Sequence, residues 1–296
     1  MAGFGTKKEQ TAVKRLTIHQ LAGKELAKQA ENHYKKGELR SAESLYRQAF
    51  NIGFQNRTLN ENLGKICWRS GREKEALQWY SNILKIDPSH QSNYIIYVNL
   101  GRINSRLGRH DKAINFLLKS LEIKPDDPVI HLILGGLYKD LGKLDQALTS
   151  ILKSLEIKPD NHIALVSLGD IYKDLGKLDQ ALAYMLKSLE IMPKNHVALA
   201  KIGCIYNDLG KLDHANASFL KSLELKPDNH FALSQLLTTY ESVNLNSLKA
   251  IALKIINQNK SRLNELGFIE AISSLGEEFT MEALEADKSS AGNTLN

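Results

Sequence analysis

The chain has 296 residues, 43% hydrophobic and 24% charged, with 19 Gly and 6 Pro. That balance suits a packed globular chain and excludes a fibrous or wholly disordered one. Two cysteines, Cys67 and Cys204, are too few for a disulfide framework, and the net charge of +6 is unevenly placed.

The basic excess lies at the front, where residues 1–90 hold 16 Lys or Arg against 9 Asp or Glu. Such a surface favours an acidic partner or an anionic surface, although a solvated basic face is the plainer reading. The opening MAGFGTKKEQTAVKRLT lacks the apolar core of a secretory signal. No run approaches 18 consecutive apolar residues, so no membrane-spanning helix is expected. A cytoplasmic chain is expected. Residues 1–22 form a basic segment expected to be partly mobile.

From residue 23 onward the punctuation is periodic. Pro125, Pro159, Pro193 and Pro227 lie 34 residues apart, as do Gly108, Gly142, Gly176 and Gly210, and Gly101, Gly135, Gly169 and Gly203. One period shows how the unit is built. Leu165, Leu168, Ile171 and Tyr172 share one helical face. Gly176 follows, where a helix end needs a left-handed residue. Asp179 suits the positive first turn of a second helix, whose apolar stripe is Ala181, Leu182, Met185, Leu186 and Leu189. Pro193 lacks an amide hydrogen and stops that helix. Gly169 and Ala181 let the two helices approach closely. A mid-helix Gly costs about 1 kcal/mol relative to Ala, so its recurrence implies a packing reason.

Six such units fit at 23–56, 57–90, 94–127, 128–161, 162–195 and 196–229. Their second helices carry Ala42, Ala76, Ala113, Ala147, Ala181 and Ala215 at one position. The first unit departs, with Ala30 for the Gly and Phe54 for the Pro, and Gln91–Asn93 interrupt the period. Residues 230–283 read as a degenerate repeat and capping helices, needed to cover the end of a stack. Residues 284–296 read as an acidic mobile tail.

The Gly, aromatic, Ala and Pro spacing resembles the tetratricopeptide repeat. The resemblance implies an all-α, right-handed superhelical α-solenoid of antiparallel helix hairpins, whose first helices line a concave groove that holds a peptide or helix. A non-catalytic protein–protein interaction scaffold is then the expected function, with no cofactor and no metal.

The family register assigns the groove positions. In the second and third repeats they hold Lys65, Trp68, Arg69, Arg102 and Arg106, with Asn62 and Asn99 adjacent. Arg pairs carboxylates bidentately and Trp adds a flat platform. In the later repeats they hold Lys139, Asp140, Asp170, Lys173, Asp174, Cys204, Asn207 and Asp208. The expected partner is a protein or peptide segment with its acidic part toward the second and third repeats. The bland alternative is that these charges only keep the surface soluble. No repeat supplies the Lys-and-Asn pair of the carboxylate-clamp relatives, and only Asn62 and Asn99 match the asparagine ladder of transferase-linked repeats.

No catalytic centre is expected. His162, His196 and His230 are one repeat apart, about 10 Å by helix packing distances, whereas zinc needs ligands about 2 Å from the ion. There is no HExxH, no Cys pair at metal spacing and no phosphate-binding loop. Cys67 reads as core and Cys204 as a groove contact. The acidic later repeats argue against a continuous track for nucleic-acid phosphates. The alternative function is an accessory or substrate-recognition arm of a separately encoded transferase.

Overall fold

The structure, a computed structural model, describes residues 7–240. The capping helices expected beyond Tyr240 and the tail at 284–296 lie outside the described residues. Every element among the described residues is helical: α1 (Lys7–Lys35), α2 (Leu39–Asn51), α3 (Arg57–Arg69), α4 (Glu73–Ile86), α5 (Asn93–Arg106), α6 (His110–Ile123), α7 (Pro128–Asp140), α8 (Leu144–Ile157), α9 (His162–Asp174), α10 (Leu178–Ile191), α11 (His196–Asp208), α12 (Leu212–Leu225) and α13 (His230–Tyr240). The fold is an all-α helical-repeat solenoid. It divides into two compact units, one ending at Leu137 and the other starting at Tyr138, inside α7. The basic residues 7–22 contain no Gly or Pro and form the front of the 29-residue α1.

In the first unit α1 packs on α2, α3 on α4 and α5 on α6, and α4 also touches α5. In the second, α9 packs on α10 and α11 on α12, while α10 touches α11 and α12 touches α13. Each hairpin closes through a glycine. Gly176 has φ +73°, and its amide and that of Lys177 return to the carbonyls of Lys173 and Tyr172, each at 2.9 Å. These bonds satisfy the last free carbonyls of α9. At the other end, the side-chain oxygens of Asn56, Asn161 and Asn195 accept amide hydrogens from the first turns of α3, α9 and α11.

The helices cross on small residues, and the Ala of each second helix is fully buried. At Gly203 a Cβ would lie 2.5 Å from the Phe219 ring, and at Gly169 one would lie 2.8 Å from Met185. The large residue of the second helix therefore occupies the space that the glycine leaves. Three buried serines tie the hairpins further: Ser120, Ser188 and Ser222 donate to the carbonyls of Tyr94, His162 and His196 at 2.7 to 3.0 Å. The odd first repeat is explained by contact. Phe54, standing where later repeats have Pro, packs directly against Gly23, where no side chain fits.

Candidate partner-binding surface

In the first unit the first helices α3 and α5 bring four of the sequence-derived residues together. Trp68, near the end of α3, is half-buried. The guanidinium carbons of Arg102 and Arg106 on α5 lie 5.9 Å and 5.2 Å from the centre of its ring, within the range of a cation–π contact. Both arginines are exposed, as is Arg69 one residue past Trp68. Arg106 reaches Glu73 at 3.3 Å, whereas Arg69 and Arg102 form no ion pair among the described residues. Lys65, one turn back, pairs with Glu61 at 2.6 Å. Asn99 is half-buried on α5. Asn62 differs from the sequence reading: it is 7% exposed, and its amide donates to the Tyr46 hydroxyl at 2.7 Å. It braces the hairpin rather than facing a partner.

A network of ion pairs links α2 with the start of α4. Arg72 donates to both oxygens of Glu43, each at 2.6 Å, and Arg47 bonds both Glu43 and Glu75. The Arg72 guanidinium holds the Glu43 carboxyl below its ordinary range, and that of Arg47 does the same for Glu75. Cys67 is fully buried beside them, its thiol 3.8 Å from Glu75 and pushed up in pKa by burial. Glu43, Cys67 and Glu75 come within 4.8 Å of one another. Their carboxylates already meet guanidiniums, and the thiol stays protonated. This donor set does not suit a metal ion.

The second unit arranges its charges differently. Lys139 pairs with Asp174 at 3.4 Å and Lys173 with Asp208 at 3.0 Å, each cation reaching the next first helix. Lys201 donates to both oxygens of Asp170, at 2.8 and 2.6 Å. The mixed charges read as an acidic stretch facing a partner are thus largely neutralised against one another. Asp140 is exposed and in no ion pair among the described residues, and Asn207 is half-buried. Cys204 is half-buried with its sulfur 3.8 Å from Gln235, and burial raises its thiol pKa. His162, His196 and His230 open α9, α11 and α13. Among the described residues none of them joins a group that could share an ion.

One further ion pair joins residues far apart in the chain. Asp170 on α9 and Lys201 on α11 lie 31 residues apart, and the fold brings them within hydrogen-bond reach. No helix among the described residues is long and apolar enough to cross a membrane.

Comparison with known proteins places this geometry in context. Models of the tetratricopeptide repeat match residues 54–126, and 129–161, 163–195 and 197–229, together more than half of the chain. A tetratricopeptide repeat protein from Parabacteroides merdae superposes with a TM-score of 0.68 at 22% identity, over 88% of this chain and 99% of that one. At that identity the likeness shows the fold alone. The MamA protein is similar at 25% identity and a TM-score of 0.50, over 57% of this chain and 91% of that one. The human protein O-mannosyl-transferase TMTC1 is 27% identical over 32% of this chain. The chain spans only 14% of that relative's length.

Proposed function

The chain belongs to the tetratricopeptide repeat family, whose repeats indicate a protein–protein interaction scaffold, and from that premise we propose that the α3–α5 face of the first unit holds the acidic part of a partner polypeptide. The observation that carries this reading is the pair of exposed arginines on Trp68. The ring holds both guanidiniums, Arg102 has no ion pair among the described residues and Arg106 has only the Glu73 contact at 3.3 Å, which lowers the ordering cost of meeting a carboxylate. In the second unit Lys139, Lys173 and Lys201 already have partners, so an ionic hold is concentrated on Arg69 and Arg102, with Arg106 shared with Glu73. In the same reading Lys139, Asp140, Asp170, Lys173, Asp174, Cys204, Asn207 and Asp208 are partner contacts of the second unit's own surface.

The role is non-catalytic in this reading, because the strongly interacting ionisable groups serve packing and ion pairing. The expected compartment is the cytoplasm, in keeping with the free thiols of Cys67 and Cys204. The test is a titration of the full chain with a labelled peptide of alternating Glu and Ser. Exchange of Arg102 and Arg106 for Ala should weaken its binding about tenfold or more. Unchanged affinity would remove the reading.

A second reading, an accessory or substrate-recognition arm of a transferase, draws on the stretch shared with the O-mannosyl-transferase relative. Co-purification of a transferase with the full chain from its native cells would favour it.

A further inference from the structure

The α3–α5 face already meets one carboxylate, and the chain itself supplies it. Glu73 opens α4, a second helix, and so lies outside the groove register of the first helices. One of its oxygens stands 3.3 Å from Nη2 of Arg106, whose guanidinium also lies 5.2 Å from the centre of the Trp68 ring. The Glu73 side chain is 19% exposed and that of Arg106 is 57% exposed. The acceptor is thus set into the surface while the cation stays open.

The cations nearest to Glu73 in sequence are committed elsewhere. Arg72 gives its guanidinium to both oxygens of Glu43, each at 2.6 Å, and Arg47 bonds Glu43 and Glu75. The first turn of a helix also suits a carboxylate. Arg102, one turn before Arg106 on α5, has no such companion and forms no ion pair among the described residues. The two arginines on Trp68 therefore differ. Arg102 offers an unclaimed guanidinium, whereas Arg106 offers one that a carboxylate already holds.

We infer that Glu73 is a specificity-determining residue: it stands in for a partner's carboxylate on Arg106 and yields only to a second acidic residue of a partner whose first meets Arg102. The inference rests on the function proposed above and adds the partner's pattern. Successive turns of a helix are about 5.4 Å apart, and alternate residues of an extended chain, which point to one side, are about 6.7 Å apart. A Glu-x-Glu segment therefore spans the step from Arg102 to Arg106. A lone Glu meets Arg102 and leaves the Glu73 pair intact.

The experiment titrates the full chain with two labelled peptides, one carrying a single Glu among serines and one carrying Glu-Ser-Glu. Wild type, Glu73→Gln and Glu73→Asp are compared. Gln keeps the shape and removes the charge. Asp keeps the charge but is one methylene shorter and withdraws from Arg106; it is also at home in a first helical turn, which guards against a folding defect in the Gln variant. An exposed ion pair is weak, so both variants should bind the Glu-Ser-Glu peptide about two- to fivefold tighter than wild type and the single-Glu peptide equally well. Arg106→Ala added to either variant should remove the gain. No gain, an equal gain for both peptides, or a gain with Gln alone would overturn the inference, the last by making Glu73 only a distant source of negative potential. A gain that survives Arg106→Ala would overturn it too. In each of these cases, weaker binding when Arg102 and Arg106 are exchanged for Ala leaves the proposed function standing. Binding indifferent to that exchange removes both.

Discussion

The guanidinium of Arg106 stands 5.2 Å from the centre of the Trp68 ring, and that of Arg102 stands 5.9 Å from it. One indole thus holds two cations that Coulomb repulsion alone would push apart. An exposed cation–π contact is worth about 0.5–1 kcal/mol. Trp68→Leu keeps an apolar side chain but removes the ring face, and should weaken binding of the acidic peptide about threefold to tenfold. Trp68→Phe should fall between. Fluorescence anisotropy reads both, and a Leu variant that binds like the wild type would show that the ring does not position the arginines.

Two glycines should respond in opposite directions to alanine. At Gly203 a Cβ would lie 2.5 Å from the buried Phe219 ring, so Gly203→Ala forces repacking and should cost about 1–3 kcal/mol. At Gly136, inside α7, nothing lies within 4 Å of an added Cβ. Gly136→Ala should therefore stabilise by about 0.5–1 kcal/mol through helix propensity and a stiffer unfolded chain. Urea denaturation separates the two. Shifts of the same sign would contradict the packing described for the helix crossings.

The ion network around Cys67 sets an acid limit. Hydrogen bonds from Arg72 hold Glu43 below its ordinary value of 4.5, and those from Arg47 lower Glu75. A carboxylate with a depressed folded-state pKa contributes stability above its unfolded pKa and loses it as pH falls through the folded value. Stability of the wild type should therefore drop below about pH 4.5. Glu43→Gln should be less stable at pH 7 and lose less on acidification. Parallel melting curves for the two proteins across that range would show that the pairing contributes nothing.

Much of this fold could be read from spacing, for identifiable reasons. A glycine at a hairpin turn and an alanine at a crossing are each fixed by their own backbone surroundings, so Gly176 and Ala181 announce their roles locally. Cys67 was read as core by its register, and it is fully buried. Side-chain partners across the stack were not legible. Lys173 meets Asp208 and Asp170 meets Lys201 only because successive first helices lie side by side with a particular rotation. Asn62 shows the same limit: its position suggested a partner-facing amide, but the reach of Tyr46 from α2 claims it.

The central claim is that open guanidiniums on the first unit meet a partner's carboxylates, and the arginine side-chain resonances test it most directly. Adding the Glu–Ser peptide to isotopically labelled full chain should shift the Nε–Hε signals of Arg69, Arg102 and Arg106. Those of Arg47 and Arg72, already held by Glu43 and Glu75, should stay in place. Uniform shifts across all five arginines, or silence at Arg102 and Arg106 under saturating peptide, would contradict the account.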